Sequence, residues 1–548
     1  MLAIYSATVT NGAIRFLVYA GLGLVVGGLV TLLDWITVEV ALEAVLGAPL
    51  WVQMVLPPVG LIAVAGILRI WPDAGSKTSD AYVESFHSGT GAESKTLLPK
   101  LLASFATIGS GGAVGMEGPA VLTGATIGQT LGERLPRVLG ERPKLVLLVA
   151  GAAAGVAAVF KAPATGVLFA MESPYRRDIS RHGLVPALVA AAVSYLVFVA
   201  FLGATPLLRF DPTEVELADE LVASVLIGVL AGFVARYLAK GVQFAKKVPR
   251  MYPFALRFPI AAVTMAAGVL IANMLVERPL TLGLGTEVAA ELVRDSSVTL
   301  GVIIVLFIIR TFVTGMTLAV GGVGGVFIPL VVQGLLLGRA VELIVGAEST
   351  GLYPVIGLAA VLGAAYRTPL AAIMFVAETT GRAEFVIPAL IATAISQSLM
   401  GEESVSKGQR TERQGQLERR LVEPASVVML DDLGVLDPDT TLLEIIDKYG
   451  DMGESFAVPV GCPEYLGLVV LHDLASAMLE HGPESTARTA MRELPPVSCE
   501  APAVDAARLM NAHDTAAIAV VDDAGCPVGV ISTTSLAGLK SVDLGPSE

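Results

Sequence analysis

Long apolar blocks alternate with short segments rich in glycine, proline and charge over roughly the first 400 residues. The longest blocks run from Phe16 to Leu33, Val52 to Leu68, Gly183 to Leu202, Leu221 to Val234 and Thr299 to Ile309. About 20 apolar residues span a bilayer as a helix, whereas ~10–14 make a buried or broken one. Both lengths occur, which predicts a polytopic helical domain whose segments are interrupted by Gly and Pro. Beyond about residue 420 the pattern changes to short runs such as Phe456–Val460 and Ala517–Val521, which predict strands of a small α/β unit.

Composition supports this division. The chain has 548 residues, 54% hydrophobic and only 16% charged, with a mean hydropathy of +0.72. Soluble proteins carry about 25% charged residues, so a single water-soluble core does not account for these blocks. Arg15 precedes a first apolar block that runs on without an A-x-A-type site, so this block is expected to be a retained membrane helix.

Charge divides the chain as well. Residues 421–548 hold 21 acidic and 5 basic side chains, a net of −16, against a net of +2 for the preceding 420 residues. An acidic tail excludes nucleic acid as its partner. Basic groups cluster at Arg134, Arg137, Arg142 and Lys144; at Arg176, Arg177 and Arg181; at Lys240, Lys246, Lys247 and Arg250; and at Arg410, Arg413, Arg419 and Arg420. Acidic residues Asp211, Glu214, Glu216, Asp219 and Glu220 fall between them. The positive-inside rule makes the basic segments cytoplasmic and places the tail inside. All three cysteines, Cys462, Cys499 and Cys526, lie in that tail, as expected for reduced thiols.

Two repeats lie within this layout. GGAVGMEGP (111–119) followed by GAAAGVAAVFKAPATGVLFAMES (151–173) matches GGVGGVFIP (321–329) followed by GLAAVLGAAYRTPLAAIMFVAET (357–379). Phe160, Pro163 and Glu172 have the same mutual spacing as Tyr366, Pro369 and Glu378. Paired halves with broken apolar segments in matching places mark a repeat-built transporter, with its site where the broken helices meet. In the tail, VLDPDTTLLEII from Val435 matches VSCEAPAVDAARL from Val497, and the run around Gly467 matches that around Gly529.

The glycine-rich stretches carry the chemistry. Each sets a proline at a helix start, where its missing N–H is tolerated. The neighbouring N–H groups then present the positive end of the helix dipole. Two such starts aimed at one point hold an anion without a full positive charge, which would be costly at membrane depth. Small residues there also allow close helix packing, but the matched positions favour an anion site. Glu117 lies in one of these starts, and a carboxylate beside an anion site can mimic the anion and act as a gate. Glu172 and Glu378 end matched helices, and their symmetry points to structural roles.

These residues resemble a known family. GMEGP is similar to the GREGP motif of the CLC chloride channels and proton/chloride exchangers, and GGVFIP to their GGIFAP motif. FKAPATGVLFAME is similar to their FNAPLAGILFxxEE segment, so the resemblance covers roughly residues 10 to 406. It implies an all-α polytopic membrane domain of two inverted repeats, forming a homodimer with one pore per subunit in the cell membrane. It also implies chloride as cargo, an anion site at Gly115, Met116, Glu117, Gly118, Gly325, Val326, Phe327 and Ile328, and Glu117 as the gating residue. The tail resembles a pair of CBS domains. The expected organisation is a transport domain at 1–406, a basic linker at 407–422, and CBS-like repeats at 423–483 and 484–548.

The departures bear on mechanism. Met116 stands where the family has an arginine. At the family's anion-coordinating serine the stretch GSKTSD (75–80) offers Ser76 or Lys77, and at its late tyrosine SVSKGQ (404–409) offers Val405 or Ser406. Ser173 replaces the second glutamate that often relays protons. With the inner barrier and the inner proton route both in question, passive channel-like conduction is favoured here, with proton-coupled chloride antiport as the alternative. The CBS-type nucleotide motif is divided between the two copies, with Asp473 kept in one and Ser532 in the other, so adenine nucleotide is a candidate ligand and a structural tail the alternative. No cofactor or metal is required, no P-loop supports ATP-driven transport, and the histidines, His87, His182, His472, His481 and His513, lack metal spacing. A further reading is a membrane-anchored nucleotide sensor with little transport.

Overall fold

The computed structural model describes all residues except 1, 90–93, 136–142, 181–182, 206–207, 209–216, 348–350, 414–419, 432–433, 451–456 and 538–548; the side chains of 2–11 and 217–220 are also not described. Arg137, Arg142, Arg181, His182, Asp211, Glu214, Glu216, Arg419 and Phe456 therefore lie outside the described residues, as do the side chains of Asp219 and Glu220. The chain divides into two units, residues 1–413 and 414–548.

The first unit is helical: α1 (Leu2–Asp34), continued by a π-helical stretch (Trp35–Leu42) into α2 (Glu43–Leu46), then α3 (Leu50–Ile70), α4 (Ser79–Ser88), α5 (Ser94–Ile108), α6 (Glu117–Arg134), α7 (Pro143–Phe160), α8 (Pro163–Glu172) and α9 (Leu184–Leu202). It continues with α10 (Leu217–Met251), α11 (Phe254–Val276), α12 (Thr286–Leu292), α13 (Leu300–Ala319), α14 (Phe327–Val345), α15 (Leu352–Tyr366), α16 (Pro369–Thr380) and α17 (Val386–Leu399). Among the described residues, eight helices are long and apolar enough to cross a membrane. Leu17, Trp51, Phe201, Val263, Met274 and Ile387 stand exposed on the outside of the unit, as expected of side chains that face lipid rather than water.

The repeat is visible in the packing. α6 packs on α7 and α14 on α15, each pair crossing where glycines let the backbones touch. A Cβ at Gly124 would strike the carbonyl of Gly151, and one at Gly334 would strike that of Gly357. The short helices α8 and α16 each open with proline at the first position and pack against one another. Each carries in its last turn a glutamate that caps the other. Glu378 accepts from the amides of Ala164 (2.9 Å) and Thr165 (2.8 Å) and from the Thr165 hydroxyl (2.7 Å). Glu172 accepts from the amides of Leu370 (3.1 Å) and Ala371 (2.8 Å). These bonds satisfy amides that a helix start leaves unpaired. The structural role expected of the two carboxylates is thus a crossed pair of caps.

The boundary between the units falls within the segment expected to be a linker, and its first half belongs to the membrane unit. Arg410 exchanges backbone hydrogen bonds with Pro174 and Arg176, and the Arg177 amide donates to Thr411 (3.0 Å). Arg413 Nε donates to Asp178 Oδ2 (2.5 Å), and the Arg413 amide donates to the same oxygen (3.0 Å).

The second unit holds two small sheets with the short helices α18 (Ala425–Val428), α19 (Leu442–Tyr449), α20 (Leu471–His481), α21 (Ala487–Ala490), α22 (Ala503–Ala512) and α23 (Thr533–Ala537). β1 (Ala457–Val460) pairs antiparallel with β2 (Gly467–Val470), Ala457 opposite Val470. β3 (Val497–Ser498) runs parallel to β4 (Ala517–Val521), which pairs antiparallel with β5 (Pro527–Ser532). A parallel bridge from Leu436 to Val460 is the first copy's counterpart of β3 beside β4. Two α/β copies are therefore present, as the repeat predicted.

Candidate functional site

The two glycine-rich stretches meet. Gly115 and Gly325 exchange backbone hydrogen bonds, each amide donating to the other's carbonyl at 2.8 Å. This pairing aims the starts of α6 and α14 at one point. It also revises the expected donor set, because the amides of Gly115 and Gly325 hold each other rather than facing an anion. The prolines differ from expectation as well: Pro119 and Pro329 are the third residues of their helices, not the first. The third position is equally free of an intrahelical N–H bond, so the amides just before each proline stay available.

One of those amides is occupied. The Phe327 amide donates to Glu117 Oε1 at 2.6 Å, while Oε2 is buried without a hydrogen-bond partner. A Cβ on Gly115 or Gly325 would collide with this carboxylate, and one on Gly118 would collide with the Thr78 hydroxyl. The glycines thus make room for the carboxylate. Leaving one of its oxygens unpaired is costly, so the carboxylate is bound through one oxygen and unsatisfied at the other.

Around Phe327 lies an aromatic box. Its ring centroid is 4.4 Å from that of Phe160, 5.1 Å from Phe375, 5.7 Å from Phe169 and 6.0 Å from Tyr366. Phe160 and Tyr366 are repeat mates, as are Phe169 and Phe375. Tyr366 alone among them brings a hydroxyl, and it lines a cavity together with Ser79 and Val326. In the sequence Tyr366 stands out only as a spacing landmark. The available signal was its phenol at a position where its repeat mate is Phe160.

The remaining candidates line a cavity of ≈ 620 Å³ that reaches Gly325, Val326 and Tyr366. Ser76 and Lys77 face it but are exposed; buried Thr78 is the residue that reaches the glycines, its hydroxyl donating to the Gly324 carbonyl at 3.3 Å. Val405 and Ser406 are buried in the same wall, the Val405 amide donating to Ala365 O at 3.0 Å. The wall carries Lys77, Lys100, Lys246, Lys247, Arg250 and Lys407 against Asp73, Asp80 and Glu84. Lys246 is held by Asp80 at 2.7 Å. Desolvation first, then the charges of Lys247 and Arg250, hold the Lys407 amine below its ordinary value. A vestibule with this excess of cations concentrates anions. Met116 is buried, and Ser173 is buried with its hydroxyl unpaired.

Residues 59–401 match the family model described as "Voltage gated chloride channel", and residues 488–540 match that of the CBS domain. The chain belongs to the voltage gated chloride channel family. Members of the family with similar sequences include the H(+)/Cl(-) exchange transporter ClcA of Citrobacter koseri, 27% identical over 56% of this chain and 67% of that protein. The protein of the same name from Salmonella typhimurium is 26% identical over the same shares. Among solved structures, a CLC-type fluoride/proton antiporter aligns with a TM-score of 0.63 at 22% identity, covering 73% of this chain and 98% of that one. A eukaryotic CLC transporter aligns with a TM-score of 0.61 at 17% identity, covering 95% of this chain and 98% of that one. At these identities the structural likeness shows the fold. As a CLC protein the chain is a multi-pass membrane protein of an anion-transporting family.

In the tail, both candidate nucleotide residues have partners of their own. Asp473 pairs with Arg492 (2.7 Å). The Ser532 hydroxyl meets that of Thr534 (2.7 Å) and accepts from the Ser535 amide (3.1 Å), capping α23. Among the described residues no group of His, Cys, Asp and Glu is placed to hold a metal ion.

Proposed function

We propose that this protein exchanges chloride for protons across the membrane, with Glu117 as the shared gate. The observation that carries this reading is the Glu117 carboxylate lying on the Phe327 amide, where a chloride ion would bind. Charged, the carboxylate competes with the anion for the helix-start amides. Protonated, it loses that attraction and yields the place, so anion entry and proton uptake become one event. Passive conduction was favoured on the sequence partly because the late tyrosine is replaced by Val405 or Ser406. Tyr366 lines the same cavity as Val405 and supports a barrier at that place supplied from another helix. The relatives named as H(+)/Cl(-) exchange transporters point the same way.

A passive chloride channel is the second reading. It is favoured by Ser173, which puts a hydroxyl that does not titrate where many exchangers have their second glutamate. Charge bias supports a cytoplasmic side for the basic loops, and the family resemblance supports a homodimer as the working unit. The deciding experiment reconstitutes the full chain in liposomes, imposes a chloride gradient and records pH. Uphill proton movement driven by chloride is the expected result. Chloride flux without it would establish the channel reading, and no anion flux under any gradient would overturn both.

A further inference from the structure

Each CBS-like copy carries a cysteine at the tip of its antiparallel hairpin. Cys462 lies between β1 and β2, and Cys526 lies between β4 and β5. Though 64 residues apart, their sulfurs are 3.0 Å from one another. Both tips are tied down. The first is held by the Gly461 amide donating to Leu436 O (3.0 Å) and the Leu466 amide donating to Val460 O (2.9 Å). The second is wound around Asp522, whose carboxylate accepts from the amides of Ala524 (3.0 Å) and Cys526 (2.9 Å). Two thiols presented by anchored turns at this separation need little backbone movement to bond. Cys462 is exposed and Cys526 is half-buried. Cys499 instead follows β3, half-buried against an apolar cluster that both copies share.

We propose that Cys462 and Cys526 form a redox-active dithiol whose oxidation clasps the two CBS-like copies, with a low-molecular-weight disulfide of the glutathione class as the oxidant. The exposed Cys462 thiolate attacks one sulfur of that disulfide, forming a mixed disulfide and releasing the first small thiolate. The Cys526 thiolate then attacks the Cys462 sulfur and expels the second. Two electrons pass from the cysteine pair to the small disulfide, and the two cysteine protons go to the departing thiolates, leaving two small thiols and one protein disulfide. The hydrogen bond to the Cys462 sulfur, with the Asp522 charge the smallest of the causes, holds the Cys526 thiol above its ordinary value, so the exposed Cys462 supplies the attacking thiolate. Because the bond joins residues far apart in the chain, it ties the two copies into one covalent loop.

The test uses the purified full-length protein, equilibrated with glutathione buffers of increasing oxidation, with free thiols counted by alkylation and intact mass. Two of the three thiols should be lost together, the mass falling by two hydrogens, and a digest should link the peptide of Cys462 to that of Cys526. C499S should behave as the parent does. C462S and C526S should each form no internal disulfide and retain at most a glutathione adduct. Three thiols that stay free across the series, a link that uses Cys499, or an internal disulfide that persists in C462S would each overturn the proposal.

Discussion

Glu117 combines three properties: a helix-start position, burial, and one unpaired oxygen. Under the proposed exchange, Glu117→Gln removes both the competing charge and the proton site. Chloride flux should continue, with its pH dependence flattened and uphill proton movement lost; flux that keeps its parental pH dependence would remove Glu117 from the gate. Tyr366 is the complementary test. Tyr366→Ala removes the phenol ring from the cavity wall at Val326, so chloride flux should rise several-fold while protons moved per chloride fall. Tyr366→Phe keeps the ring contacts with Phe327 and Phe169 and should change coupling more than stability. The measurement is paired chloride and pH recording from the same liposomes.

Helices α8 and α16 show how a repeat stabilises itself. Neither is long enough to be stable alone, and each has its first amides satisfied by the other's last carboxylate. Glu378→Ala removes three acceptor contacts and leaves two amides of α8 without partners. The expected loss is about 1–3 kcal/mol, read as a lower Tm of the detergent-solubilised protein. Glu172→Ala should cost a similar amount at the other end of the pair. The contact of α6 with α7 is tighter still. Gly151→Val would drive a side chain into the Gly124 carbonyl, and the expected result is loss of folded protein on size exclusion.

At the scale of the molecule, the last residues of the membrane unit are pinned to the loop after α8 by Asp178 and Arg413. Hydrogen bonds from Arg413, chiefly from its side chain, lower the Asp178 carboxyl to about 2. An unfolded aspartate titrates near ~3.9. The folded value is the lower one, so the pair's contribution is present above about 4 and is lost as pH falls toward about 2. Asp178→Asn should therefore lower the Tm at neutral pH, with the difference from the parent closing over that acid range. A gap that stays constant down to pH 2 would assign the effect to packing rather than to charge.

Much of this protein was legible in its residue order. The apolar blocks, the matched landmarks and the two glycine-rich starts gave the two-fold helical architecture, and Glu117 stood out because an ionisable group at a membrane helix start has few bland explanations. The acidity of the tail and its doubled pattern placed a second, α/β unit. These features depend on spacing and type along the chain, which sequence records directly. Tertiary structure alone decided which groups meet. That Gly115 pairs with Gly325, that Thr78 rather than Ser76 or Lys77 reaches the glycines, and that Tyr366 stands beside the site all depend on helices brought together from distant parts of the chain. The same holds for the crossed caps of Glu172 and Glu378 and for the meeting of Cys462 with Cys526. The physical reason is that an inverted repeat fixes which helix ends converge, while the side chain that fills the space between them is set by packing.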